Sequence, residues 1–454
     1  MSGLDNVIGT PHSSANHGSP SSLIRLVAAS VVGTAIEFYD FFLYATAAAL
    51  VFNKDFFPTS NPLTGIFLAF LTYSVGFLAR PLGGIVFGHI GDKHGRRFAL
   101  VLTLSLMGAA TFCMGLLPTF FQIGVLAPVL LTLLRFIQGF AVGGEWGGAV
   151  LLVAEHCPAQ HRGFWTSLPQ TGGPLGNLLS TAILVLFSVI MSNGAFLGWG
   201  WRIPFLLSIV MVAIGLWIRL GISETPVFQK VLDEERVERV PVLEVLKRQP
   251  KQVALTALLR MPEQAPGYIV GTFIFTYATT VLGAPRNFVL MAVLTQAVLG
   301  FLWVPMAGHL SDRIGRKRMY AIGSVFVGVF GFIYFALLDT KEPALIFVAI
   351  ALSLLPVMTC YGPQAAMIAE SFTPRLRYSG SSLGYQLASI IAGGPSPFIA
   401  TALFATFQSS LPIALYILGC AIIGLIATAL LTDYTNKDIS EEYDKVGAGR
   451  ARAV

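Results

Sequence analysis

Glu37, Asp40 and Tyr44 stand at i, i+3 and i+7 of one uninterrupted apolar stretch, so a helix brings all three to one face. A carboxylate in that setting can take up and release a proton. Desolvation favours its neutral form and a neighbouring guanidinium its ionised form, so making and breaking such a pair switches it. Arg135 is the matching base. By the apolar boundaries, Asp40 lies 11 residues before the end of the first stretch and Arg135 lies 11 after the start of the fourth. At 1.5 Å per residue both are about 17 Å from the same surface, which predicts an Asp40/Arg135 ion pair. Glu37 is the competing proton carrier, and a permanent structural salt bridge is the competing account of the pair.

Every other ionisable group within an apolar stretch also needs a reason, because each costs at least ~2.5 kcal/mol at mid-helix unless paired or hydrated. Arg80 and Glu145 either neutralise each other, or Arg80 is a bidentate fork for a carboxylate ligand, for which guanidinium suits better than ammonium. Arg260 and Glu263, at i, i+3 beside Pro262 and Pro266, are either a self-neutralised pair or a second set of ligand contacts on a bent helix. Of the uncharged polar groups, Gln170, Tyr268, Gln364 and Gln386 are predicted to face a cavity. The four cysteines, Cys113, Cys157, Cys360 and Cys420, and the scattered histidines show no metal or redox spacing. No cofactor is expected.

A second constellation is repeated. Gly88-His89-x-x-Asp92-x-x-Gly95-Arg96-Arg97 recurs as Gly308-His309-x-x-Asp312-x-x-Gly315-Arg316-Lys317 at an offset of 220. Gly172-Gly173-Pro174 recurs as Gly393-Gly394-Pro395 at 221, and Glu155 precedes Arg162 by seven residues as Glu370 precedes Arg377. The chemistry predicted is a charge latch. Gly88 and Gly95 allow a tight turn, Asp92 accepts from a helix N-terminus or an arginine, and the basic pair holds one face of the membrane. Glu155, Arg162, Glu370 and Arg377 lie at the same level and complete it. The competing account is that these charges only set topology.

The elements that must position these residues follow from composition. Of 454 residues 55% are hydrophobic and 11% charged, with mean hydropathy +0.72, which excludes a water-soluble surface. Twelve apolar stretches, 23–51, 64–90, 98–117, 124–154, 164–192, 202–221, 253–281, 287–309, 319–338, 343–369, 379–407 and 411–432, are each long enough to span a bilayer as helix. The predicted fold is an all-α integral membrane bundle. It divides into a tail (1–22), a six-helix half (23–221), a linker (222–252), a second half (253–432) and a second tail (433–454). The linker region holds the run Asp233, Glu234, Glu235, Arg236, Glu238, Arg239. Of the 29 Lys and Arg, Lys54, Arg202, Arg286 and Lys341 fall on one face, Arg80, Arg135 and Arg260 fall within spans, and the rest on the other face. That asymmetry places both termini in the cytoplasm and explains the net charge of +6 without a nucleic-acid partner.

Together these segments resemble the major facilitator superfamily from Leu23 to Thr432. More narrowly the sequence is similar to the metabolite:proton symporter family, which includes shikimate, α-ketoglutarate, citrate and proline/betaine carriers. The segments carrying the likeness are Gly33-Thr34-Ala35-Ile36-Glu37-Phe38-Tyr39-Asp40, Arg80-Pro81-Leu82-Gly83-Gly84, Arg135-Phe136-Ile137-Gln138-Gly139, Gly143-Gly144-Glu145-Trp146-Gly147-Gly148, Trp199-Gly200-Trp201-Arg202-Ile203-Pro204-Phe205 and Glu224-Thr225-Pro226-Val227-Phe228. The resemblance implies two pseudo-symmetric six-helix halves, a proton-bearing carboxylate on the first span near a base on the fourth, and a functional monomer. The function expected is proton-coupled symport of a small organic acid across a bacterial inner membrane by alternating access, with no enzymatic activity. A zwitterionic osmolyte such as proline or betaine is the alternative solute, and a non-transporting receptor the alternative class. The tail from Asp433 to Val454 lacks the heptad repeat of some osmosensing relatives.

Overall fold

A bilayer offers no partner for a bare peptide group, so a chain this apolar must satisfy its backbone within helices. The computed structural model describes residues 20–59, 62–94, 96–220, 241–373, 376–437 and 439, and all regular structure among them is helical. Gly95, the acidic run of the linker, residues 1–19 and residues 440–454 lie outside these residues, as do the side chains of Asp92, Arg96 and Arg97.

The described residues form twelve spans. Span 1 is Pro20–Ala47, continued by a π-helical turn, Ala48–Phe52; span 2 is Pro62–His94; span 3 is Arg96–Leu116. Span 4 comprises Leu126–Val142 and Glu145–His156, span 5 Arg162–Gln170 and Gly172–Ile190, and span 6 Arg202–Leu220. Span 7 begins with Pro250–Leu259 and Met261–Tyr268 and ends in π-helical turns at Ile269–Phe273 and Tyr277–Val281. Span 8 is Arg286–Ile314, span 9 Arg316–Asp339, and span 10 Pro343–Leu352 with Leu354–Glu370. Span 11 is Arg377–Ala388 and Pro395–Phe407 about a π-helical turn, and span 12 is Leu411–Leu430. Spans 4, 5, 7, 10 and 11 are segmented, and in span 7 the break at Arg260 precedes Pro262, which cannot continue the hydrogen-bond ladder. The expected linker contains a short helix, Pro241–Arg248, whose Arg248 Nε donates to Glu244 Oε2 at 2.7 Å. An even number of spans brings residues 431–439 back to the face on which span 1 begins, and this is the terminal face of the molecule.

Large apolar side chains such as Trp217, Val189, Leu302, Val329 and Ile426 stand exposed on the outside, while Glu37, Asp40, Arg80, Arg135, Glu145, Arg260 and Glu263 are buried. That inversion suits lipid outside and a polar path within. The halves meet where span 5 packs on spans 8 and 10 and span 2 on span 11.

Spans 2 and 4 touch backbone to backbone. A Cβ on Gly139 would lie 1.9 Å from the Gly76 carbonyl oxygen, and one on Gly76 would lie 2.7 Å from Arg135 Nε, because the arginine runs across that glycine. Small residues permit this approach in lipid. Gly139→Ala should therefore force the two spans apart and lower stability by about 1–3 kcal/mol. A melting temperature of the purified variant equal to that of the parent would contradict the contact.

Candidate functional site

Between the halves lies a cavity of about 60 Å³, partly open to solvent. Spans 1, 5, 7, 10 and 11 line it with Phe38, Phe42, Asn177, Tyr268, Tyr361 and Tyr385, and with the ion pair Arg260 and Glu263. The pair is direct: Arg260 Nη2 lies 2.7 Å from Glu263 Oε1, and Nε donates to the same oxygen at 2.9 Å. Gln364 Nε2 adds a third donor to Oε1 at 3.2 Å. Arg260 also donates from Nη1 to the Tyr385 carbonyl, and its guanidinium lies 3.2 Å from the Tyr385 ring centroid. The amide of Gln264, with its oxygen toward Arg260, accepts from the same guanidinium. The site thus offers a pre-oriented guanidinium, already holding one carboxylate, among aromatic faces that can cover a small ring.

On the terminal side the cavity is closed by Trp146 of span 4, which stacks on Tyr385 at 3.7 Å between centroids and 13° between planes. Its indole N–H donates to Gln170 Oε1 at 2.9 Å. Gln386 Nε2 donates to the Gly143 carbonyl at 3.2 Å, and Tyr378 O–H to that of Gly144 at 3.1 Å, so span 11 is tied to span 4. Of the residues predicted to contact a ligand, Arg260, Glu263 and Tyr268 line the cavity. Gln170, Gln364 and Gln386 instead hold its walls in place.

Arg80 is not among the residues that line this cavity. Its guanidinium lies 4.7 Å from both the Phe41 and Phe77 ring centroids, and its Nε has no hydrogen-bond partner among the described residues. The same two rings neighbour the cavity's Tyr268, at 5.4 and 5.2 Å between centroids. No Arg80/Glu145 ion pair forms among the described residues. The cause is the close contact of spans 2 and 4, which draws Arg80 and Arg135 into one aromatic cluster.

The expected ion pair between Asp40 and Arg135 is also absent as such. Arg135 lies 4.6 Å from the Phe41 centroid, on the same ring that Arg80 approaches, and 4.6 and 4.7 Å from Tyr44 and Tyr73. Its Nη1 donates to Gln138 Oε1; Gln138 Nε2 donates to Thr111 Oγ1 at 2.7 Å; Thr111 Oγ1 donates to Asp40 Oδ2 at 2.8 Å. Equal depth was legible in the sequence. The intervening side chains from span 3 and the next turn of span 4 were not, because no local pattern marks a hydroxyl on a neighbouring helix.

The latch residues described come together at the terminal face. Arg162 Nη1 of span 5 meets Glu370 Oε1 of span 10 at 3.0 Å, and Arg316 Nε meets Glu370 Oε2 at 2.8 Å. Arg316 Nη1 also holds Asp312 Oδ1 at 2.8 Å. Glu155 Oε1 of span 4 lies 3.7 Å from Arg377 Nη1 of span 11. Asp312 accepts from the N–H groups of Gly163 and Phe164 at 2.8 and 2.9 Å, which satisfies the start of span 5 from the opposite half. The duplication extends to the bonds themselves: Arg162 Nε donates to the Ala154 carbonyl at 3.3 Å as Arg377 Nε does to that of Ala369 at 3.1 Å. Gly315 has φ 98°, the left-handed turn its glycine permits. Gly88 makes no turn; it lies within span 2, facing the Tyr378 ring.

Residues beyond span 12 join the latch. Lys317 Nζ donates to the Leu431 carbonyl at 2.6 Å, and the Arg316 N–H to Thr435 Oγ1 at 3.0 Å. Arg162 Nη1 reaches the Lys437 carbonyl at 3.2 Å, and Arg377 Nη2 the buried Ile439 carbonyl.

The lining residues Phe38, Phe42 and Gln264 were not singled out from sequence; Asn177, Tyr361 and Tyr385 were visible only as polar groups within apolar spans. The model of the family described as Major Facilitator Superfamily matches residues 30–397. The shikimate transporter of Escherichia coli (strain K12) is 41% identical over 413 residues, covering 90% of this chain and 94% of that one. The proline/betaine transporter of the same strain is 34% identical, covering 92% and 85%. Among solved structures, the proton:xylose symporter XylE bound to 6-bromo-6-deoxy-D-glucose superposes with a TM-score of 0.74 at 15% identity, covering 93% of this chain and 98% of that one.

Proposed function

This chain belongs to the Major Facilitator Superfamily and is a multi-pass membrane transporter, and from that premise we propose that it imports a small hydroxylated monocarboxylate of the shikimate type together with protons. The observation that carries the reading is Arg260, a guanidinium held ready by Glu263 in an aromatic-lined cavity between the halves. A substrate carboxylate takes a place on Arg260, and the tyrosines Tyr268, Tyr361 and Tyr385 cover its ring and hydroxyls. Arg260 and Glu263 together carry no net charge, so a monoanion entering alone leaves an uncompensated charge in low dielectric. A proton that enters with it removes that penalty.

Asp40, with Glu37 as the alternative, carries the coupled proton. The terminal face is the cytoplasmic face of a bacterial inner membrane, and the carrier acts as a monomer. Its latch closes the inner side while the cavity loads, and the halves then rock to open it inward. Inward drive is reasonable, since each positive charge moved gains about 2.3 kcal/mol per 100 mV.

The neutral Arg260/Glu263 pair also suits a zwitterion, and the proline/betaine relatives support that second reading of the same cavity. The test is the external pH of lightly buffered, energy-depleted cells on addition of shikimate, proline or betaine. Alkalinisation with shikimate, absent in cells lacking the protein and lost in Asp40→Asn, is expected. Alkalinisation with betaine alone would transfer the reading to the zwitterion. Silence with all three compounds, with the protein shown in the membrane, would overturn both readings of the cavity and move the assignment to another solute, uncoupled exchange or a receptor role.

A further inference from the structure

Asp40 and Arg135 are joined through two uncharged side chains, and the hydroxyl between them has one hydrogen for two acceptors. Thr111 Oγ1 lies 2.8 Å from Asp40 Oδ2 and 3.1 Å from the Met107 carbonyl oxygen, while Gln138 Nε2 donates to it at 2.7 Å. All of these side chains are buried, and Asp40 Oδ1 and Arg135 Nη2 have no hydrogen-bond partner among the described residues.

Two arrangements satisfy the same atoms. With Asp40 ionised, Thr111 donates to Oδ2 and accepts from Gln138, whose Oε1 holds Arg135, so the bonds point one way from guanidinium to carboxylate. A proton arriving on Oδ2 forms the O–H bond there and becomes the donor. Thr111 Oγ1 then accepts from both Asp40 and Gln138, and its own hydrogen turns to the Met107 carbonyl. No atom need move far, yet the polarisation of the chain is broken at Thr111, and bonds in such chains strengthen one another only while aligned. A direct ion pair would hold Asp40 ionised; the spacing keeps it titratable while Arg135 still feels its charge.

We propose that Thr111 and Gln138 are the positioning residues that report the protonation of Asp40 to Arg135 and, through Phe41, to the cavity wall. Phe41 completes the route because its ring lies 4.6 Å from Arg135 and 5.4 Å from the Tyr268 ring that lines the cavity. The charged or titratable groups acting on Asp40 are Arg135 and Glu145, both on span 4, and Tyr39 on its own span, where Glu37 stands one turn earlier. Span 3 faces it with the Thr111 hydroxyl. This inference rests on the proton-coupled reading above.

The test uses the full-length carrier in vesicles with radiolabelled shikimate as probe, comparing Thr111→Val, Thr111→Ser and Gln138→Leu. Thr111→Val keeps the shape and removes the hydroxyl. Equilibrium exchange, which needs no net proton movement, should stay within about twofold of the parent, while uphill accumulation falls roughly tenfold or more and loses its pH dependence, as expected for a lost bond to a charged group. Thr111→Ser should restore both, and Gln138→Leu should behave as Thr111→Val. Unchanged accumulation and pH profile in Thr111→Val overturns the proposal, as does an equal loss of exchange and accumulation with normal membrane insertion, or a serine variant no better than valine. Failure of the parent to exchange shikimate counts against the substrate reading instead.

Discussion

On the function proposed above, Arg260→Gln is expected to abolish measurable shikimate uptake, a loss of at least about 100-fold, because it removes the guanidinium that Glu263 holds and on which the proposal seats the substrate carboxylate. Truncating one partner of a buried, hydrogen-bonded charge pair costs about 2–5 kcal/mol, much of it from the charge left behind. The binding and the stability components separate in the double variant. Arg260→Gln with Glu263→Gln restores a neutral cavity, so the melting temperature should recover toward the parent while uptake does not. Arg260→Lys should keep the charge but lose the planar fork, and retain weak uptake at raised KM. Uptake by Arg260→Gln close to that of the parent would move the substrate site away from span 7.

Glu370→Gln is expected to release the terminal face. One carboxylate serves two buried arginines from different halves, Arg162 and Arg316; removing it leaves Arg316 with Asp312 alone and takes from Arg162 the carboxylate it holds, at a cost of about 3–5 kcal/mol. Cys157 reports the opening. Its thiol is buried beside the latch, and burial pushes it up to about 12, so the closed face leaves it unreactive at neutral pH. In a Cys113→Ser background, maleimide labelling of Cys157 should rise roughly 100-fold in Glu370→Gln. Part of that rise could come from losing the negative charge of Glu370 near the thiol. Asp312→Asn controls for it by freeing the start of span 5 from the other half while leaving Glu370 in place. Labelling that rises in Glu370→Gln alone would make the effect local rather than a release of the latch.

How much of this was legible in the sequence depended on the range of the cause. The twelve spans were legible because bilayer thickness sets a length that no soluble helix needs, and the structure matches them to within a few residues at most ends. The latch was legible because it is written twice, so each copy vouches for the other. Asp312 meets a helix start and an arginine, the kinds of partner its repeat counterpart was expected to take, whereas the spacing named no partner for Glu370, which reaches Arg162 and Arg316. The cavity was less so. Arg80 looked like a ligand fork by residue type and depth, and only the glycine contact between spans 2 and 4 shows that it turns into the Phe41/Phe77 cluster. Arg260 and Glu263 at i, i+3 could be paired from sequence, but not which way the pair faced. Thr111 gave no signal at all, since its role comes from two other helices.

The contacts of Thr435, Lys437 and Ile439 with Arg316, Arg162 and Arg377 change what the end of the chain is for. The Thr435 hydroxyl and the Lys437 and Ile439 carbonyls have a register against the gate, and a deletion of one residue ahead of Thr435 slips each off its arginine. A fusion partner or affinity tag attached close behind Ile439 pulls on the same bonds. Carriers studied with such attachments would report their own resting balance between inward and outward states, biased by the handle used to observe them.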